Sequence, residues 1–184
     1  MKKNLYLAIM IVALSLQAGC LYVVRYDGPY EGKVVDQESQ EPIEGAVVLG
    51  TWHTIQPSMG GGVSYYSDAR ETVTDVNGNF TIRGQGLRIM SNLEPMGVLI
   101  FKSGYSYEQI GSWDTLKTGI YSKERIKWEG DKPIFPLKKL TLDERKDGPL
   151  PPYPPSESKR ADKTNLFMQE IKKERREQGL EVTD

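Results

Sequence analysis

A chain of 184 residues, 38% hydrophobic and 27% charged, holds enough apolar material for one packed domain with extensions and too little for two full domains. Its 24 Lys+Arg against 25 Asp+Glu give a formal charge of −1, which supplies no global field for nucleic acid, so a nucleic-acid partner is set aside. One Cys excludes an internal disulfide, and one Cys with one His excludes a Cys/His zinc site within a single chain.

Met1-Lys2-Lys3-Asn4 is a short positive start to the apolar run Leu5 to Leu16, the pattern of a secretory signal over residues 1–19. As a helix that run would span about 18 Å, short of the ~30 Å hydrocarbon layer. Leu16-Gln17-Ala18-Gly19-Cys20 resembles the lipobox of bacterial lipoproteins, although Gln17 stands where that family usually has Leu. The resemblance implies cleavage before Cys20, lipidation of Cys20 as the mature N-terminus, and a membrane partner through that lipid in the bacterial envelope. Leu21 follows the Cys where an Asp would favour inner-membrane retention, which implies sorting to the outer membrane, facing periplasm or surface. An uncleaved anchor or an ordinary signal stays open, because Leu21-Tyr22-Val23-Val24 extends the apolar stretch to about 20 residues, the length of a spanning helix. Arg25 to Pro29 is polar and turn-forming, so residues 20–29 read as a tether.

Tyr30 to Asp36 alternates as a first strand, Gln37 to Glu41 is a polar turn, and Ala46 to Trp52 reads as a second, largely buried strand. Glu71-Thr72-Val73-Thr74-Asp75-Val76-Asn77-Gly78-Asn79-Phe80-Thr81-Ile82 then reads as a hairpin. Asp75 can accept from the backbone two residues on, and Asn77 and Gly78 suit the left-handed conformations of a tight turn. Gly32-Lys33-Val34-Val35-Asp36, Pro42-Ile43-Glu44-Gly45-Ala46-Val47-Val48 and Thr74 to Ile82, in that order, together resemble the carboxypeptidase regulatory-like domain. The resemblance covers roughly residues 30–107, extending towards 140, and implies an all-β fold: an antiparallel, seven-stranded-type β-sandwich of transthyretin (prealbumin) shape. It implies no peptidase activity. The expected core is Val34, Val47, Leu49, Val73, Phe80, Ile82, Val98, Ile100, Ile134 and Leu137, alternating inward along their strands.

Residues 53–70 carry Gly60-Gly61-Gly62 without a following Gly-Lys-Ser/Thr, so they read as a mobile loop and not a phosphate cradle. Arg83 to Asn92 reads as a second loop. Leu93 to Lys102 is a strand interrupted by Pro95 and Gly97, and Glu108 to Trp128 has no distinct pattern. Lys132 to Leu140 supplies a last strand, placed at an edge because two prolines would block a central ladder. The sandwich is therefore expected over 30–140. Pro149 to Pro155 favours an extended polyproline conformation within a Pro-rich linker over 141–157. A C-terminal helix and tail follow over 158–184, capped by Ser158 or Asp162 and stopped by Gly179.

Chemistry is sparse in this pattern. His53 is the sole imidazole and has no nucleophile in its motif, so no catalytic residue is assigned. Asp36, Asp75 and Asn77 could offer oxygens to calcium, but Asp75-Val76-Asn77-Gly78 is explained as a structural turn, and an EF-hand would need Glu where Gly86 stands. No metal or cofactor is expected. The reading that remains is a non-catalytic binding or assembly module held at a membrane, with Phe167, Met168 and Ile171 of the terminal helix as a stripe for an envelope protein. The alternative is a glycan- or peptide-binding module, with aromatic contacts from Trp52, His53, Tyr65, Tyr66 and Trp113.

Overall fold

Val98-Leu99-Ile100-Phe101 and Ala46-Val47-Val48-Leu49 are apolar at every position, a pattern that suits strands covered on both faces. The computed structural model, which describes residues 24–118, 126–152 and 161–181, has that arrangement. Its strands are β1 (Val24–Asp27), β2 (Tyr30–Asp36), β3 (Val47–Ser58), β4 (Gly61–Val73), β5 (Asn79–Ile82), β6 (Gly86–Ile89), β7 (Gly97–Phe101), β8 (Glu108–Ile110), β9 (Lys127–Glu129) and β10 (Lys132–Leu137). Its helices are α1 (Trp113–Thr118), α2 (Leu142–Asp147) and α3 (Asn165–Glu177), the last preceded by a 3-10 turn at Ala161–Thr164. One four-stranded sheet runs β5-β2-β10-β9, a second runs β4-β3-β7-β8, and β1 and β6 make a two-stranded ribbon. The fold is mostly β and sandwich-like. The signal, Cys20 and Ser158 lie outside the described residues.

Between the two sheets, Val34, Phe80, Ile82, Phe135 and Leu137 meet Val48, Trp52, Val98 and Ile100. On the outer face of the second sheet, Val47, Leu49, Ala69, Leu99 and Phe101 are covered by Phe167 and Ile171 of α3. Both α3 side chains are fully buried, a contribution of about 1.5–3 kcal/mol each before ordering entropy. The start of α3 is met from the sheet: the Glu71 carboxylate accepts from the Phe167 N–H at 2.8 Å and the Leu166 N–H at 3.0 Å. A negative group there also complements the helix dipole. The helix stops at Gly179, at φ +77°, as its sequence indicates.

Several expectations are corrected. Thr74 to Asn79 does form the Asp75 turn, with Asp75 Oδ1 accepting from Asn77 N–H at 2.9 Å and Asn79 N–H at 2.8 Å. Yet β4 and β5 do not pair. They enter opposite sheets, so the turn is a crossing between layers and not a hairpin. Val73, the last residue of β4, is exposed on the outer face opposite Val47. Ile134 is only half-buried while Phe135 and Leu137 are fully buried: Leu137 takes its expected core place, and strand alternation then turns Phe135 inward and Ile134 to the other face.

Strand β10 is interior, not an edge, and pairs in parallel with β2, from Ile134 opposite Lys33 to Leu137 opposite Asp36. Pro133 lies outside the β2 register and Pro136 outside the β9 register, so each proline flanks one ladder only. The segment expected as a mobile loop is a long hairpin arm, in which β3 and β4 pair from Val47–Val73 to Ser58–Gly61 with a register shift between Trp52 and His53. The tether and the second loop supply β1 and β6. The linker opens with α2, whose capping box joins Thr141 and Glu144.

Candidate binding surfaces

Strand β1 turns a polar side chain, Asp27, into the domain beside the first turn of chain entering β2. The residue is 4% exposed, and its carboxyl accepts from the Tyr30 hydroxyl at 2.5 Å, Trp52 Nε1 at 2.9 Å and the Gln85 N–H at 2.7 Å, with an Arg25 guanidinium nitrogen 3.9 Å away. Burial, with the hydrogen bond to Asp27 added to it, pushes the Tyr30 phenol well above its ordinary pKa and keeps it a donor. The backbone at Gly84 runs so close that a Cβ there would sit 1.9 Å from the Asp27 carbonyl oxygen.

Arg70 completes this corner. Its guanidinium lies 5.6 Å from the Trp52 ring centroid and donates to the carbonyls of Arg83 (2.6 Å) and Gly84 (2.5 Å). The cleft above, about 580 Å³, is lined by Tyr26, Asp27, Pro29, Arg70, Arg83 and Gln85. The Asp27 carboxyl and the Arg70 guanidinium are committed to internal partners, so they hold β1, β3 and the Arg83–Gly86 segment in place. Trp52→Phe keeps an aromatic ring, deletes the donor to Asp27 and leaves part of the buried indole volume unfilled. Leaving that buried acceptor short of a partner is expected to cost about 1–3 kcal/mol in a denaturant melt.

The five aromatic candidates do not converge. Trp52 and Trp113 are core residues: Trp113 lies edge-on to Tyr30 at 5.2 Å and 6.1 Å from Phe135, and neither tryptophan is open to a ligand. His53 and Tyr66 face each other edge-on at 5.9 Å at the base of the hairpin arm, and Tyr65 is about half exposed one step further out. Beyond Thr51 the arm leaves the β7 ladder, and Ile55, Met59 and Val63 are exposed along it. A groove of about 300 Å³ at its base is lined by Leu49, His53, Leu99, Gln109 and Pro152.

At the opposite end of β7, α2 and α3 are clamped to the domain. Arg145 meets Glu174 through two nitrogens, at 2.6 and 2.7 Å, and reaches Glu177 at 2.6 Å. Glu174 also accepts from the Gly104 N–H at 2.9 Å, the Ser103 hydroxyl at 3.0 Å and Gln178 Nε2 at 2.8 Å. Phe167 and Ile171 face the sheet, and Met168 is half-buried beside them, so in this arrangement the apolar stripe is turned to the chain's own domain. Asp36 and Asp75 each accept from the N–H groups of their own turns, and among the described residues no group of three or more His, Cys, Asp or Glu is placed to hold a metal ion.

No family model and no curated protein matches this chain. The chain is similar at 19% identity to a 3-chlorocatechol 1,2-dioxygenase from Rhodococcus opacus 1CP, over 62% of this chain and 62% of that one, with a TM-score of 0.33. A likeness of that size carries no argument about activity. The residues that organise these surfaces, Asp27, Arg70, Arg145 and Glu174, have no motif around them. What could have exposed the docked helix is the unbroken apolar character of Val98 to Phe101, which demands cover on a second face.

Proposed function

We propose that this chain is a non-catalytic, lipid-anchored module of the bacterial envelope, sorted to the outer membrane, that works by binding or assembly at the membrane surface. We further propose that its sandwich is of the carboxypeptidase regulatory-like, transthyretin-like type. The observation that carries the reading is the lipobox-like Leu16 to Cys20, which runs almost directly into a folded domain whose first strand begins at Val24. The commitment of Asp27, Arg70, Arg145 and Glu174 to internal partners supports a scaffold over a catalyst. Intact mass of the protein purified from membranes is expected to show loss of Met1 to Gly19 and a gain of acyl mass on Cys20. A chain that keeps residues 1–19, or that carries a bare Cys20, overturns the anchored reading.

A second reading is favoured by the hairpin arm. A two-stranded ribbon that runs beyond the β7 ladder, with β4 as the outer strand of its sheet, exposes Ile55, Val63 and Tyr65 to an extended peptide, the mode of β-strand addition, while its β3 side is already bonded to Asn92 and Glu94. That narrows the aromatic contacts from five residues to His53, Tyr65 and Tyr66.

A further inference from the structure

The register of the β1–β6 ribbon sorts its residues by face. Val24 stands opposite Ile89 and Tyr26 opposite Leu87, while Arg25 stands opposite Arg88 and Asp27 opposite Gly86. The second set is tied to the domain: Asp27 in its buried corner, Arg25 donating to the Leu93 carbonyl at 2.7 Å, and Arg88 donating to Gln85 Oε1 at 2.8 Å. The first set is turned away from it. Val24, Tyr26, Leu87 and Ile89 are 57%, 71%, 61% and 63% exposed, and Met90 continues the strip at 72%. A contiguous face of large apolar side chains, directly paired across two strands, marks an interaction surface rather than scattered surface hydrophobics.

Where the chain comes from names the occupant. Val24 is four residues after Cys20, and an extended chain advances at most about 3.3–3.6 Å per residue, so the ribbon begins within roughly 14 Å of the Cys20 backbone. We infer that the Val24, Tyr26, Leu87, Ile89 face seats in the lipid bilayer interface beside the Cys20 anchor, fixing the orientation of the domain on the membrane. This rests on the anchored reading proposed above. The chemistry suits the site: three aliphatic side chains bury in the acyl boundary, and Tyr26 brings an apolar ring with a hydroxyl suited to the headgroup level. Seating also removes from water a ribbon that would otherwise be an adhesive surface.

The test uses the full chain with its native lipid in vesicles of phosphatidylethanolamine and phosphatidylglycerol. Acylation of Cys20 consumes the sole native thiol, so Leu87→Cys and, separately, Tyr26→Cys each offer one site for a nitroxide. Glu38→Cys, in the exposed turn at the far end of β2, is the control. At 87 and at 26, collision with an aqueous nickel complex is expected to be several-fold lower than at 38, and collision with oxygen higher. Equal nickel access at 87 and 38, with acylated Cys20 in the intact mass of the same sample, overturns the seating while the anchor stands. An unmodified Cys20 with protein in the aqueous phase overturns both. Dipolar broadening between labels at 87 that survives dilution with lipid assigns the face to a second copy and overturns the lipid seat.

Discussion

Gly78→Val is expected to destabilise the domain by about 3 kcal/mol or more, enough to leave a marginal fold largely unfolded. Gly78 has φ +75°, a conformation that costs an L-residue about 1–2 kcal/mol and a β-branched one more. A Cβ there would lie 2.4 Å from the Val34 carbonyl oxygen and 3.1 Å from Pro42 Cβ, an overlap of the kind that costs a further 1–3 kcal/mol or so. The turn has no room to yield. The Gly78 carbonyl accepts from the Val34 N–H at 2.8 Å, the Val34 carbonyl accepts from the Ile43 N–H at 3.0 Å, and buried Thr74 donates to the Ile43 carbonyl at 2.6 Å. Shifting any one of them loosens all three segments. Gly179 is the matched control, since it has φ +77° with nothing within 4 Å of its Cβ position. Gly179→Ala is expected to lose only about 1–2 kcal/mol, the conformational part alone. Circular dichroism melts of the two variants separate strain from clash. A folded Gly78→Val protein with a melt like that of Gly179→Ala would refute the turn as described.

Arg145→Met is expected to cost about 3–5 kcal/mol, because it leaves Glu174 buried with its strongest partner gone and Glu177 facing it. The Arg145 and Glu174 side chains are 11% and 4% exposed, so solvent does little to screen them. The loss should be local in character, with hydrogen exchange accelerating first through residues 165–177 while β2 and β10 stay protected. The same clamp sets an acid limit. Burial works against the Glu174 carboxylate, and Arg145, the Gly104 N–H and Ser103 outweigh it, so its pKa lies below the 4.5 of a free glutamate. Arg145 chiefly lowers Glu177 as well. Carboxyls depressed in the folded state stabilise it above the unfolded value, and that contribution is lost as pH falls below 4.5 through their folded values. Glu71 runs the other way: burial raises its pKa despite the two helix N–H donors, so it favours the fold in its protonated form and offsets part of the acid loss. Urea midpoints between pH 6 and pH 3 should therefore fall steeply in the native protein and less steeply in Arg145→Met.

The contrast between these two sites shows what could be read from residues alone. Asp75, Asn77 and Gly78 act over four positions, and the Asp75 hydrogen bonds and the positive φ of Gly78 were legible from local turn chemistry, whereas Asn77 does not take the left-handed conformation its residue type suits. The choice of sheet for β4 and β5 was not, because it depends on which strands arrive beside them from elsewhere in the chain. Gly60-Gly61-Gly62 looked like a loop since glycine favours turns, and the alternation of Thr54, Ile55, Val63 and Tyr65 across it carries the arm instead. Pro133 and Pro136 argued for an edge, and they are tolerated inside because each falls where one neighbour has ended. Asp27 and Arg145 are single charged residues in polar surroundings, and besides the local Tyr30 bond to Asp27 it is partners 25 to 58 and 29 to 32 positions away that make them structural.

The parallel pairing of β2 with β10 joins Lys33 to Ile134, 101 positions apart. A chain made from its N-terminus at roughly 5–20 residues per second delivers the second of these about 5–20 s after the first. Throughout that interval β2 can pair with β5 but has no neighbour on its other side. The first sheet is therefore completed last, from sequence-distant pieces, which places this domain among high-contact-order, slow-folding topologies. Any holding factor that the growing chain needs would act on the open side of β2, where Val34 and Val35 wait for Phe135 and Pro136.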